Sequence, residues 1–284
     1  METPTRGRWW RDASADDDGA TTTVIQTGDA VDRGDRSIDC HDALERLKRE
    51  ANASGDEVVT LMGNHELMTL QGDLRFVGGR ELMDLGVRAL REGGTTGDED
   101  GSGASPRAYA HAGRLAWMRA FARGSARGDE VRSKPVAVTR GEGRCATVFV
   151  HAGLTSRHLF GANSVDALNA RARELFDVDV VSKSGEDDVT GGDGPLWTRE
   201  ISMGDEELVC KEVEETLARL NVKRMVVGHT PTKSGSIETR CEGMVHMIDV
   251  GMSSAYGGVP SVWMCTESEG PMAITNAGER VALE

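Results

Sequence analysis

Apolar positions along the chain follow two rhythms. Short runs rich in β-branched residues read as strands at Thr23–Gln26, 57–62 (EVVTLM), 146–150 (ATVFV), Arg224–Val227 (RMVV) and 245–250 (VHMIDV). Between them the spacing lengthens to that of a helix. Ile38, Leu44, Leu47 and Ala51 set a helix over 42–51, and a second is expected over 81–91. Over Glu206–Leu220 the residues Leu208, Val209, Val213, Leu217 and Leu220 share one predicted helical face. Strands alternating with helices predict a layered α/β domain.

Two stretches break this pattern. Residues 92–106 (EGGTTGDEDGSGASP) and 182–195 (SKSGEDDVTGGDGP) are rich in glycine and acid and read as solvated loops within the domain, not linkers. Residues 1–22 are polar and expected to be irregular, leaving 23–284 as a single domain without internal repeats.

Composition narrows the function. Of 284 residues, 38% are hydrophobic, enough for a core, and the net charge is −14. Such a surface repels phosphate backbones, so a nucleic-acid partner is not expected. A phosphorylated protein or small phosphoester remains compatible where metals or arginines concentrate positive charge. No apolar run is long enough to span a membrane, and the first residues contain no apolar signal core. The five cysteines are scattered, odd in number and form no CxxC pair. They point to a reducing intracellular compartment, whether cytoplasm, chloroplast or mitochondrion, and against a disulfide framework or a zinc-thiolate site.

Candidate chemistry sits at strand ends. Residues 26–35, QTGDAVDRGD, pack acids and an arginine around two glycines. Taken alone, they are as well explained by a charged turn. Three other strands end in the same manner, in Gly63-Asn64-His65-Glu66, His151-Ala152-Gly153 and Gly228-His229-Thr230. The carboxyl ends of strands in α/β folds share one rim, so these clusters can converge. Asp, Asn and His are ligands suited to Mn, Fe or Zn.

In this order the motifs resemble the GDxxDRG, GNHE, HAG and GH signatures of the calcineurin-like metallophosphoesterases, in particular the PPP-type phosphatases. The stretches 63–77 (GNHELMTLQGDLRFV), 224–230 (RMVVGHT) and 248–258 (IDVGMSSAYGG) resemble the Shewanella-like protein phosphatases. That resemblance implies a layered metallophosphoesterase fold and a phosphatase that uses metal-bound hydroxide to attack phosphomonoesters, on phosphoproteins carrying phospho-Ser/Thr or phospho-Tyr. It implies two divalent ions. Asp29 would bridge them, and Asn64, His151 and His229 would complete the second ion's shell. His65 would be the general acid, Asp32 would orient it and favour its charged form, and Arg33 would hold phosphate oxygens. Arg199, in PLWTRE, resembles a second phosphate arginine of bacterial-type relatives, with a rim salt bridge as the alternative.

One expected motif is missing. The family's first strand ends in GDxHG, whose Asp and His bind the first ion, and nothing in 1–28 matches it. The chain is therefore expected to begin inside the domain, with one strand of the sheet missing and an open edge in its place. Only one ion would then be held. The missing motif leaves a non-catalytic or one-metal phosphate-binding module as one alternative, and the resemblance leaves a nucleotide or dinucleoside-polyphosphate hydrolase as another, since PPP-like sites also serve that chemistry. Among the other histidines, His41 and His158 read as helix-start or loop residues, His111 as part of a variable alanine-rich stretch and His246 as a packed strand residue. The acidic runs 16–18 and 98–100 read as solvated loops.

Overall fold

A computed structural model describes residues 21–93, 104–183 and 187–283. The acidic runs 16–18 and 98–100, and nearly all of the segment 1–22, lie outside the described residues. Strands β1 (Thr23–Gln26) and β2 (Glu57–Thr60) pair in parallel and are joined by helix α1 (Ser37–Ala53). Four helices follow: α2 (Asn64–Leu70), α3 (Gly79–Glu92), α4 (Pro106–Ala120) and α5 (Ala126–Ser133). Then come β3 (Ala137–Arg140), β4 (Thr147–Val150), α6 (Asp166–Phe176), α7 (Glu200–Met203), α8 (Glu206–Leu220) and β5 (Arg224–Val227). The chain closes with β6 (Glu238–Arg240), β7 (Val245–Met247), β8 (Val262–Thr266), β9 (Gly270–Ile274) and β10 (Arg280–Ala282).

A five-stranded sheet, ordered β3-β4-β5-β7-β6, forms the centre. Its middle strands β4, β5 and β7 run parallel, and antiparallel β3 and β6 close the edges. Side chains alternate across it, as the strand period requires. Val148, Val150, Met225 and Val227 point into the main core with the helices. Val138, Phe149 and Val226 point the other way, against Leu61, Ile25, Val59 and Trp263. So the β1–β2 pair and the antiparallel sheet β10-β9-β8 both cover the second face of the central sheet. Fold class and layering are as the sequence predicts.

Several details differ from the sequence reading. Helix α1 begins at Ser37, not 42, because the Glu81 carboxylate accepts hydrogen bonds from the backbone N–H of Ser37 and Ile38, both at 3.1 Å. A cap donated from a distant helix leaves no local signature. Helix α8 matches its predicted span, yet Leu208 is 70% exposed and the buried face is Val209, Val213, Thr216, Leu217 and Leu220. The strand predicted at 245–250 ends at Met247. The segment 182–195 is not a purely solvated loop. Val189 is fully buried and the Asp187 carboxylate accepts from the N–H groups of Val189 and Thr190 at 2.8 Å each. Strand β1 has no strand partner on its other edge among the described residues, and Val24 there is 43% exposed.

The cysteine reading is overturned. Cys145 pairs with Cys265 and Cys210 with Cys241, across sequence separations of 120 and 31 residues, leaving Cys40 free. The first bond ties the approach to β4 to β8, and the second ties α8 to the turn after β6. Scattered spacing carried no pairing signal because the partners meet only after the sheets stack. The inference of a reducing compartment loses its premise. Among the described residues no helix is long and apolar enough to cross a membrane.

Candidate metal and phosphate site

Four strand ends converge, as their motifs suggest. Asp29 follows β1, Asn64 follows β2, His151 follows β4 and His229 follows β5. The loops after β1 and β2 touch backbone to backbone. A Cβ on Gly28 would lie 2.7 Å from the Gly63 Cα, and one on Gly63 would lie 2.4 Å from the Asp29 N, so only glycine fits either place.

The side chain that joins these loops is Glu66. It is fully buried, and its carboxylate accepts from the backbone N–H of Asp29 (2.8 Å), Ala30 (2.7 Å) and Gly63 (2.9 Å). Sequence reasoning gave Glu66 no role. Its available signal was its place at the third position of α2, from which a glutamate can bond back to the helix start. The ligand loops need this support because Asp29, Asp32, Arg33 and His229 all have left-handed backbones, with φ of 60°, 72°, 56° and 64°. Each such residue costs roughly 1–3 kcal/mol, which the surrounding contacts must offset.

His151 is buried, and its Nδ1–H donates to the Thr27 carbonyl at 2.7 Å. That bond turns the Nε2 lone pair inward in the neutral ring, a common arrangement for a metal-binding imidazole. Nε2 lies 2.9 Å from Asn64 Oδ1, 3.2 Å from His229 Nδ1 and 3.4 Å from Asp29 Oδ1. His229 Nδ1 lies 2.9 Å from the same Asn64 oxygen. With bonds of about 2.0–2.2 Å, the atoms of a tetrahedral shell sit roughly 3.3 Å apart. Oxygen and nitrogen atoms gathered at this spacing match that shell, so these residues fit a divalent ion.

The electrostatics agree. Burial pushes the Asp29 carboxyl up, but the His151 charge and hydrogen bond and the His65 charge outweigh it, holding the group well below the usual carboxylate range. Burial pulls the His151 imidazole down, and the Asp29 carboxylate reverses this to a net rise. Positive charge is thus favoured beside Asp29. Burial, helped by the charges of His151 and Arg199, pushes His229 down to about 3, leaving a neutral imidazole able to bind metal at neutral pH. Among the described residues, the only cluster of three His, Cys, Asp or Glu donors that includes Asp29 is this one, with His151 and His229. Glu206, Cys210 and Cys241 form another cluster, but its two sulfurs are bonded to each other.

The remaining predicted residues surround it. His65 is buried, and its Nδ1–H donates to Asp32 Oδ2 at 2.7 Å. Its Nε2 faces the centre, 4.0 Å from Asp29 Oδ2. Arg33 is exposed at the rim. Arg199, also exposed, donates to Thr230 Oγ1 at 3.0 Å, and its charge reaches His229. It therefore sits beside the site, and among the described residues no carboxylate salt bridge holds it. The other histidines stay away. His41 bonds Glu130, His158 receives the Thr155 N–H, His111 lies in α4, and His246 is buried between Gly243 and Trp263.

The calcineurin-like phosphoesterase family profile matches residues 5–233. The chain belongs to that family. It is accordingly a metal-dependent hydrolase of phosphate esters. It is 29% identical over 248 residues to an uncharacterized protein of Schizosaccharomyces pombe, covering 87% of this chain and 67% of that one. It is also 29% identical over 283 residues to Shewanella-like protein phosphatase 2 of Arabidopsis thaliana, covering 91% of this chain and 69% of the relative. The solved cold-active protein-tyrosine phosphatase of a psychrophilic Shewanella species shares the fold, at a TM-score of 0.65 and 22% identity, over 92% of this chain and 69% of that one.

Proposed function

We propose that residues 23–284 form one phosphatase domain that hydrolyses phosphomonoesters on phosphorylated protein side chains. The observation that supports this most is the meeting of Asn64 Oδ1, His151 Nε2, His229 Nδ1 and the Asp29 carboxylate beside the His65–Asp32 pair. Asp29, Asn64, His151 and His229 hold a divalent ion, Mn, Fe or Zn. When bound, that ion supplies an activated water and neutralises phosphate charge.

The chain's own residues do the rest. Arg33 receives the phosphate oxygens by charge-assisted hydrogen bonds, with Arg199 beside His229 as a second candidate. His65 keeps Nδ1–H on Asp32, so the proton it gives the leaving alkoxide sits on Nε2, the nitrogen that faces the centre. Asp32 fixes that tautomer and ring orientation. The phosphoprotein reading is supported by a relative that is a Shewanella-like protein phosphatase.

Hydrolysis of an aryl phosphate and of a phosphopeptide, with and without added Mn²⁺, tests the reading. Metal-dependent turnover of both, lost in His65→Ala, is the expected result. Metal and phosphate binding without turnover would leave the phosphate-binding module. Preference for a dinucleoside tetraphosphate over the phosphopeptide would move the substrate class to nucleotides.

A further inference from the structure

Arg33 is exposed at the rim of the site, and a free arginine side chain there loses considerable rotamer entropy when it is fixed on a ligand. Two aromatic rings meet it. The Arg33 guanidinium carbon lies 4.8 Å from the Phe76 ring centroid and 5.3 Å from that of Tyr256, both within cation–π range. Neither ring reaches it by accident of a loose surface. The Arg33 backbone N–H donates to the Phe76 carbonyl at 2.9 Å, pinning the two segments together. Phe76 also packs on His65, with centroids 5.2 Å apart, so one ring borders both the phosphate arginine and the proposed acid.

Tyr256 arrives from a compact loop. Gly251 has φ +63°, and a Cβ there would lie 3.1 Å from the Tyr256 Cβ. Within the loop, the Tyr256 N–H donates to the Ser253 carbonyl at 2.9 Å, and the Gly251 N–H donates to Asp249 Oδ1 at 2.9 Å. Burial raises the Asp249 carboxyl, and Asp249 feels the charges of Asp29 and Arg33. The loop that carries Tyr256 is therefore anchored at the site.

We propose that Phe76 and Tyr256 are positioning residues that clip the Arg33 guanidinium between their rings and so pre-set it for phosphate. The proposal rests on the reading of Arg33 as a phosphate-binding residue and adds what holds it. Pre-setting cuts the ordering cost of binding, so its signature is affinity rather than turnover. Tyr256 is the sharper probe, because Phe76 also touches His65.

The test is equilibrium dialysis of radiolabelled inorganic phosphate against the Mn²⁺-loaded chain, with KM and kcat for an aryl phosphate measured alongside. Tyr256→Leu should weaken phosphate binding about two- to fivefold and raise KM with little change in kcat, the range expected of one exposed cation–π contact. Tyr256→Phe keeps the ring and should bind like the parent chain. In an Arg33→Ala background, Tyr256→Leu should have no further effect. If Tyr256→Leu binds phosphate normally while Arg33→Ala does not, the clip is wrong and the Arg33 reading stands. An equal loss in both backgrounds also overturns the clip, since the ring would then act without Arg33. If Arg33→Ala binds phosphate as the parent does, both readings fall.

Discussion

The molecule contains two buried histidine–carboxylate pairs with the same bond length. His65 Nδ1 lies 2.7 Å from Asp32 Oδ2, and His41 Nε2 lies 2.7 Å from Glu130 Oε2. Their surroundings separate them. Asp32 has a left-handed backbone and lies among other left-handed residues where strand ends meet, beside the clustered polar atoms of Asn64, His151 and His229. His41 and Glu130 lie in two regular helices, and Glu130 is further neutralised by Lys48 at 3.7 Å and Lys134 at 3.9 Å. Burial pushes Glu130 up, but the His41 hydrogen bond and the Lys134 charge hold it down to about 2. A histidine–acid bond alone does not mark a site. Strained backbone together with metal-ligand types converging from several strand ends does, because such an arrangement is costly to hold and gains nothing for the core.

The contrast breaks most sharply under paired substitutions. His65→Ala should lower kcat for an aryl phosphate by about 10²–10⁴, the range for losing a general acid. His41→Ala should leave kcat unchanged and lower unfolding stability by about 1.5–3 kcal/mol, the worth of a charged hydrogen bond. A similar fall in kcat from both would erase the distinction.

Next in size are the disulfides, which lie outside the metal cluster. The unfolded, unreduced chain should show one reactive thiol, Cys40, and five after reduction. Reduction should cost about 2–4 kcal/mol per bond, the typical range for a disulfide, while metal content holds. Five thiols before reduction would instead restore the reducing-compartment expectation.

Glu66→Gln offers a smaller effect within the site itself. It exchanges a carboxylate that accepts three backbone N–H groups for an amide with one oxygen. Metal affinity should fall about 10–100-fold, as for other groups that support ligands from behind, and direct metal analysis after dialysis reads it.

A last effect is on acid stability. Burial pushes the His246 imidazole down to about 4 from its ordinary 6.5. The unfolded chain therefore takes up that proton first, so the contribution is complete above about pH 6.5 and is lost as pH falls toward 4. Glu130, with a lowered pKa, contributes fully above its ordinary 4.5 and loses that contribution between there and about 2. Urea midpoints against pH should fall across these two windows, and His246→Gln should shrink the first without removing it, because burial also pushes His158 down to about 4 and His229 to about 3.

Much of the architecture was legible in residues. The strands Thr23–Gln26 and Arg224–Val227 and the helix Glu206–Leu220 have the predicted bounds, because their periodicity is strong and their ends carry local signals such as the Asp205 cap, whose side chain accepts from the Leu208 N–H. Helices α4, α5 and α6 were not anticipated. The weak helical periodicity of α5, ARGDEVRS, shows why: only Gly128, Val131 and Arg132 are buried in it. The early start of α1 was hidden because its cap comes from Glu81.

The candidate site divides along the same line. Local sequence pointed to Asp29, Asn64, His65, His151 and His229 as candidates, since polar ligand types clustered with a glycine behind a strand form a short-range pattern. The fold had to supply everything that depends on distance between segments: the Glu66 carboxylate bridging two loops, the Thr27 carbonyl that sets the His151 tautomer, the rings of Phe76 and Tyr256 around Arg33, and the cysteine pairings. Side-chain chemistry is carried in the one-dimensional chain, but contacts between residues far apart along it exist only once the sheets stack and the strand ends share a rim.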